Sequence, residues 1–135
     1  MIARLAVALL AVACFASEQN PNQLYGRWKV TAVSGASPIT AMSGAAAARL
    51  VGRFLILRPH KLQFAGQTCQ PTYDRSQETS AEFVQDYKVD LKTLSLPEPV
   101  ARFDAGCTAI FVREPDKIIF PWNGYFLEAT KALVK

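Results

Sequence analysis

The chain has 135 residues, of which 50% are hydrophobic and 19% are charged, with 15 Lys and Arg against 11 Asp and Glu. A chain this apolar can bury enough surface to offset its conformational entropy, so the composition excludes a disordered protein. The length fits one domain and a short leader, because a domain typically takes about 100 to 200 residues. Since there is one His and no dense cluster of Cys, Asp or Glu, we expect no metal and no cofactor.

The N-terminus has the layout of a signal peptide, in which Arg4 precedes an apolar run that ends in small residues. The uncharged run from Leu5 to Ser17 has 13 residues, whereas a membrane-spanning helix needs about 20. We therefore predict a signal peptide at 1–16, a linker at 17–23 and one domain at 24–135, and we disfavour a permanent transmembrane anchor.

Two routes of processing remain open for this leader. Cleavage after Ala16 removes Cys14 and leaves a soluble protein. Alternatively, residues 10–14 resemble a bacterial lipobox, which implies that Cys14 is acylated and becomes the new N-terminus. Both routes predict a periplasmic or secreted protein, and the second predicts a lipid anchor to the envelope.

Both routes leave Cys69 and Cys107 as the free thiols of an exported chain. Because exported proteins fold in an oxidising compartment, we predict that these two residues form a disulfide. For the loop that a Cys69–Cys107 bridge closes, the chain-entropy model gives a stabilisation of about 4 kcal/mol. Neither Cys has a second Cys or a His at ligand spacing, which disfavours a metal or redox role.

The mature chain begins with a period-two pattern, in which Trp28 and Val30 alternate with Arg27 and Lys29, and this pattern predicts a half-buried strand over 24–33. An alanine run after Ser43 predicts a short helix with Ser43 as its N-cap.

Two further strands are predicted at 53–58 and 61–64, joined by a tight turn at Pro59 and His60. The polar residues 66–80 that follow predict a long loop, which Cys69 pins.

Residues 82–92 fit two patterns. Their odd positions are mostly apolar, as in a strand, but Thr79 and Glu82 have the spacing of a capping box and several apolar residues have helical spacing. We predict a strand to about Tyr87 and then one helical turn before Pro97.

The last third of the chain predicts four short strands joined by tight turns, of which Asn123-Gly124 is the strongest hairpin signal. The strands are expected at 100–103, 108–113, 117–120 and 125–130. Seven or eight strands in all predict a mainly β protein, an antiparallel meander that closes into a small barrel or half-barrel with one short α-helix near the N-terminus. The Phe residues of these strands are expected in the core.

Gly26 and Trp28 on the first strand, the early helix, the meander and Lys131 after the last strand together resemble a lipocalin-type (calycin) barrel. The resemblance implies that Trp28 closes one end of the barrel beneath the basic side chain of Lys131. Small exported barrels of similar size also include bacterial lysozyme inhibitors and periplasmic immunity proteins.

Charge is distributed unevenly along the chain. Residues 19–73 contain six Lys and Arg and no acidic residue, whereas residues 74–135 contain eight Lys and Arg and ten Asp and Glu. This asymmetry can steer an anionic partner towards one face. We expect Arg53, Arg58, His60 and Lys61 to contact that partner. We do not expect the partner to be nucleic acid, because the sequence has no basic motif with aromatic residues between its cations.

Catalysis is not expected, because the single His60 lies at a predicted hairpin tip without a nucleophile motif. The sequence therefore predicts an exported, non-catalytic binding protein that holds a small apolar or amphiphilic ligand in the barrel mouth, or an envelope partner. The alternative is a periplasmic inhibitor or immunity protein that neutralises a cell-wall hydrolase or a toxin through its loops, with 66–80 and the turn at 58–61 as the contacts.

Overall fold

The computed structural model describes residues 20–133, so the predicted signal peptide and Cys14 lie outside the described residues. Two α-helices are present, α1 (Gly44–Ala48) and α2 (Ser80–Tyr87), together with 3-10 turns at Pro21–Gln23 and Leu91–Leu94. The strands are β1 (Gly26–Ala36), β2 (Phe54–Arg58), β3 (Lys61–Phe64), β4 (Gln67–Cys69), β5 (Arg75–Glu78), β6 (Val100–Asp104), β7 (Ala109–Glu114), β8 (Lys117–Trp122) and β9 (Tyr125–Lys131).

The nine strands form one antiparallel sheet in the order β4-β3-β2-β1-β9-β8-β7-β6-β5. The sheet curls into a half-barrel, which confirms the predicted fold class. The long strand β1 joins its two halves, because β1 pairs with β2 on one side and with β9 on the other. The two edge strands β4 and β5 follow one another in the chain, so the sheet is open between them.

Side chains from both halves of the sheet fill its concave face and form the main core. Trp28, Leu55, Phe103 and Phe120 each have 0% exposure there. Three aromatic rings meet edge to face, with Phe64 centred 5.1 Å from Phe120 and 4.9 Å from Trp122. Phe64 and Phe120, which were predicted for the core, pack on this face. The same prediction was wrong for Phe54, which is half-buried and lies on the opposite face beside Lys29.

A second core lies on the convex face of β6–β9, where α2 and the 3-10 turn at Leu91–Leu94 cover the sheet. Phe83 of α2 is fully buried against Phe111 and Phe126, with centroid distances of 5.0 and 5.9 Å. Because this half of the sheet is buried on both faces, its strands read as nearly unbroken apolar runs. In β7, all four residues from Ala109 to Val112 are buried.

Two predictions for the middle of the chain were wrong. Residues 80–87 form a helix rather than a strand, because the Thr79 hydroxyl accepts from the Glu82 backbone N–H and the Glu82 carboxylate accepts from the Thr79 backbone N–H. Residues 66–80 are not one long loop, since β4 and β5 lie within them. The 3-10 turn at Leu91–Leu94 agrees with the helical turn predicted before Pro97.

Local signals fixed the turns and the first helix as predicted. The Ser43 side chain accepts from the Ala46 backbone N–H and begins α1. Asn123 and Gly124 have φ values of 49° and 87°, as in the hairpin turn that this residue pair favours. Part of the predicted linker is ordered, because Pro21–Gln23 forms a 3-10 turn against the barrel.

Residues 70–74, which we call the strap, cross from β4 to β5 over the open side of the sheet. The predicted disulfide is confirmed, and it joins Cys69 at the end of β4 to Cys107 in the β6–β7 turn. The Tyr73 N–H donates to the Asp104 carbonyl at 2.8 Å, and its hydroxyl donates to the Arg58 carbonyl at 2.8 Å. The strap is thereby bound to both halves of the sheet.

Candidate functional site: a basic sheet face

Within residues 20–133, no helix lies over the convex face of β1–β4, whereas α2 covers that of β6–β9. Strand register places Arg27, Ile56, Gln63 and Thr68 in one row across the four strands. Lys29 lies opposite Phe54, and Arg58 lies opposite Lys61, on the same face. We call this surface the basic face, and it consists of Arg27, Lys29, Phe54, Ile56, Arg58, Lys61, Gln63 and Thr68.

The four cations of the basic face are exposed, and in the described part of the chain no carboxylate is paired with them. Within residues 20–133 the ion pairs are Arg102–Glu78, Arg113–Glu128 and Lys117–Glu114, all in the other half of the chain. Like charges directly opposite on paired strands are destabilising. Arg58 and Lys61 form such a pair, so stabilisation of the fold does not explain their position opposite one another.

Apolar side chains lie between these cations. The Arg27 guanidinium carbon lies 4.1 Å from the centre of the Phe54 ring, a cation–π contact that holds the Arg27 side chain across the sheet. Phe54 and Ile56 are half-buried and form one wall of an open groove of about 330 Å³. Gln63, Gly66, Gln67 and Thr68 complete the groove with polar groups. The face therefore offers positive charge, apolar surface and amide groups together.

The predicted contact residues do not all lie together. Arg58, His60 and Lys61 share the β2–β3 turn, whereas Arg53 precedes the opposite end of β2. Arg53 and Arg58 are five positions apart, which corresponds to about 17 Å along an extended chain. His60 is exposed and borders a cleft of about 340 Å³ that Gln70, Pro71 and Thr72 of the strap also line.

The strap supports this turn through Tyr73. Its ring packs edge to face on Tyr25 with centroids 5.4 Å apart, and burial raises the pKa of the Tyr73 hydroxyl above its ordinary range. A neutral hydroxyl at every physiological pH keeps donating to the Arg58 carbonyl. The backbone of the basic turn is therefore held in place independently of pH.

Gly26, Trp28 and Lys131 lie together where β1 pairs with the end of β9. The Lys131 ammonium lies 5.5 Å from the Trp28 ring centre and donates to the Gln23 carbonyl at 2.7 Å. Gly26 has φ +133°, and a Cβ at that position would lie 3.4 Å from the Lys131 Cε. The Trp28 indole N–H donates to the Leu24 carbonyl at 2.8 Å. These contacts fix the start of β1, and with it Arg27 and Lys29.

The predicted contacts omitted several members of the basic face, among them Arg27, Lys29, Phe54 and Ile56. The period-two pattern in β1 had placed Arg27 and Lys29 on the outside of the sheet. Phe54 and Ile56 carried a weaker signal, since β2 has apolar residues on both of its faces. Such a strand indicates an outer face that is covered or that binds something.

Residues 20–133 contain no group of three or more His, Cys, Asp or Glu that could hold a metal ion. In the same part of the chain, no helix is both long and apolar enough to cross a membrane. His60 stands at a turn tip, bordered in its cleft by Gln70, Pro71 and Thr72.

Comparison of the chain with protein-family models, with curated proteins and with solved structures gives no match.

Proposed function

We propose that the protein is an exported, non-catalytic binding protein that holds an anionic envelope partner on its basic face. The observation that carries this proposal is the grouping of Arg27, Lys29, Arg58 and Lys61 on one uncovered face without paired carboxylates. Charges of one sign on a single face attract an oppositely charged partner and speed its association. The disulfide supports export, since disulfides persist in oxidising compartments.

The packing of the concave face favours this surface over a ligand inside the barrel. A cavity large enough for a lipid leaves accessible area on the side chains that line it. Phe103, Phe120 and Leu127 have 0% exposure, and Phe64 has 2%. An apolar ligand would have to displace these side chains, whereas the basic face needs no rearrangement. The lipocalin-like relationship is likewise a proposal, which the contact of Lys131 with Trp28 supports.

The proposal is tested by elution from an anionic dextran sulfate resin with a salt gradient. Arg27→Gln/Lys29→Gln should elute at clearly lower salt than the unaltered protein, because fewer ionic contacts remain for the salt to screen. The matched control is Arg75→Gln/Lys92→Gln, which removes one Arg and one Lys, both exposed, from elsewhere. If both variants elute at the same salt, net charge alone governs binding and the proposal fails.

A second function, inhibition of an envelope hydrolase, is favoured by a different observation. The two segments predicted as its contacts lie side by side, because Tyr73 of the strap donates to the Arg58 carbonyl and the disulfide anchors the strap. Loops held on a rigid sheet are common binding elements. Replacement of Gln70 and Thr72, which are both exposed on the strap, by Ala should abolish capture of a hydrolase from envelope extract, while dextran sulfate elution stays unchanged. Failure of the unaltered protein to capture any hydrolase would count against inhibition.

A further inference from the structure

We propose that the anionic partner of the basic face is the surface of a phospholipid bilayer, an inference that rests on the proposed function and names its partner. The basic face combines cations with half-buried apolar side chains on one uncovered sheet surface. Surfaces that lie on membranes use the same combination, in which cations meet lipid phosphates and apolar groups reach the boundary with the acyl chains.

The sign of the charges favours a membrane over an acidic protein. The central part of a protein–protein interface is usually depleted in charged residues, and its charges are complementary across the contact. On the basic face, Arg27 and Lys29 lie directly opposite the apolar Ile56 and Phe54, so cations and apolar groups alternate instead of forming an apolar centre and a charged rim. A face with a single sign of charge matches a bilayer that contains anionic lipids, because the surface potential of such a bilayer is negative.

The position of the face in the chain gives a second argument. Cys14, the residue that the lipobox resemblance would acylate, precedes Arg27 by thirteen positions. A chain of that length spans at most about 45 Å, so an acylated N-terminus keeps the face within reach of its own bilayer. An anchor at Cys14 would hold the basic face at a high effective concentration beside the bilayer, so that even weak contacts of its cations with lipid phosphates would form.

The residues that precede β1 are held in place by side-chain contacts. The Lys131 side chain donates to the Gln23 carbonyl and lies over Trp28, so the segment that leads to β1 is fixed on the sheet. Arg27 and Lys29 are the second and fourth residues of β1. The segment entering the domain therefore leads directly into the basic face, as a membrane-proximal surface requires.

The test measures sedimentation of the exported protein with vesicles of phosphatidylcholine alone and with vesicles containing one quarter phosphatidylglycerol. The quantity compared is the ratio of the two partition coefficients, in which the contribution of any acyl chain cancels. Each Lys or Arg near an anionic surface contributes about five-fold. Arg27→Gln/Lys29→Gln should therefore lower the ratio by about 25-fold, and Arg75→Gln/Lys92→Gln should change it by less than about two-fold.

Phe54→Trp supplies an independent readout of contact. Trp28 and Trp122 are buried, so an emission shift on binding reports the new side chain. A blue shift with the anionic vesicles, absent with phosphatidylcholine, is expected if the face enters the headgroup region. Inorganic phosphate at millimolar concentration should not reverse it, whereas reversal would indicate a site for a single phosphate and overturn the membrane surface as partner.

The outcomes separate the inference from the proposed function. If dextran sulfate elution depends on Arg27 and Lys29 but the vesicle ratio does not, the basic face binds an anionic partner other than a bilayer, such as an acidic protein. If neither depends on these residues, both proposals fail. An equal loss of the ratio in the two paired variants would also contradict the inference.

Discussion

The two halves of the curled sheet differ in what lies on their convex faces. On β6–β9, α2 and the 3-10 turn at Leu91–Leu94 complete a second core, and Arg113 is paired with Glu128 at 2.9 Å at its margin. On β1–β4, no described residues cover the convex face, and the cations there have no carboxylate partners among those residues. One half therefore contributes stability on both faces, while the other leaves a face available for a partner.

The unequal charge of the two chain segments corresponds to this division. The acidic residues all follow the strap or lie within it in the described chain, and several of them cap helices or pair with Arg and Lys. Glu82 closes the capping box of α2, and Glu128 accepts both from Arg113 and from the Ser34 hydroxyl. Acidic residues thus serve structure in one half, and in the described part of the other half their absence leaves the cations without carboxylate partners.

The largest effect should come from a Phe in the covered half. Phe83→Ala removes a fully buried ring in contact with Phe111, Tyr87 and Phe126. Such a change should lower the free energy of unfolding by about 3 to 5 kcal/mol. Phe54→Ala on the basic face should cost only about 1 kcal/mol, since that ring is half-buried and loses chiefly the Arg27 contact.

Urea unfolding followed by Trp fluorescence measures both variants under the same conditions. Equal losses of stability would show that the convex face of β1–β4 is as important to folding as the covered face, and the comparison of the two halves would then be wrong. If Phe83→Ala does not fold at all, Phe83→Leu should still cost more than Phe54→Leu.

The next effect concerns the covalent link between the halves. Cys69→Ser/Cys107→Ser opens the disulfide that ties β4 to the β6–β7 turn, across a sequence separation of 38. The loss of the cross-link should lower the free energy of unfolding by about 2 to 4 kcal/mol. Hydrogen exchange should increase most in the strap and in β4 and β5. These are the edge strands of the sheet, and each is hydrogen-bonded to one neighbouring strand only. Exchange that increases uniformly over all nine strands would contradict a local role for the bridge.

The sequence predicted those elements whose signals are local. The strands β6–β9 follow from apolar runs separated by turn residues, and the Asn123-Gly124 turn was correct because both residues favour positive φ. The helix α2 was missed because Phe83 and Tyr87 fit an alternating pattern as well as a helical one. The capping box at Thr79 was the deciding signal, and the structure follows it.

The sequence could not predict the short edge strands or the full basic face. β4 and β5 are three and four residues long and mostly polar, so their extended state results from pairing with β3 and β6 rather than from their own side chains. Arg58 and Lys61 were predicted to be near one another because a turn joins them. Their grouping with Arg27 and Lys29 depends on the pairing of β1 with β2, which no local pattern encodes.

The smallest expected effect is a pH dependence of the free energy of unfolding, which comes from Glu78 on the edge strand β5. Glu78 of β5 is 8% exposed, its Oε1 lies 3.3 Å from the Arg102 Nε, and its Oε2 has no hydrogen-bond partner in the described structure. Burial raises the pKa of the Glu78 carboxyl, the Asp86 and Glu82 charges raise it further, and Arg102 opposes them. The folded state therefore holds this proton more tightly than the unfolded chain does.

This proton makes the folded state more stable at low pH. The contribution is full below the ordinary glutamate pKa of about 4.3, and it is lost as the pH rises through the raised pKa of Glu78. Urea unfolding is measured at several pH values, from below the ordinary glutamate pKa to above the raised pKa of Glu78. In Glu78→Gln, this part of the pH dependence of stability should disappear. Glu114→Gln, which removes an exposed carboxylate, should retain it. Since the basic face has no carboxylates, vesicle binding by Glu78→Gln should be unchanged, and a change would mean that the two halves of the sheet are coupled.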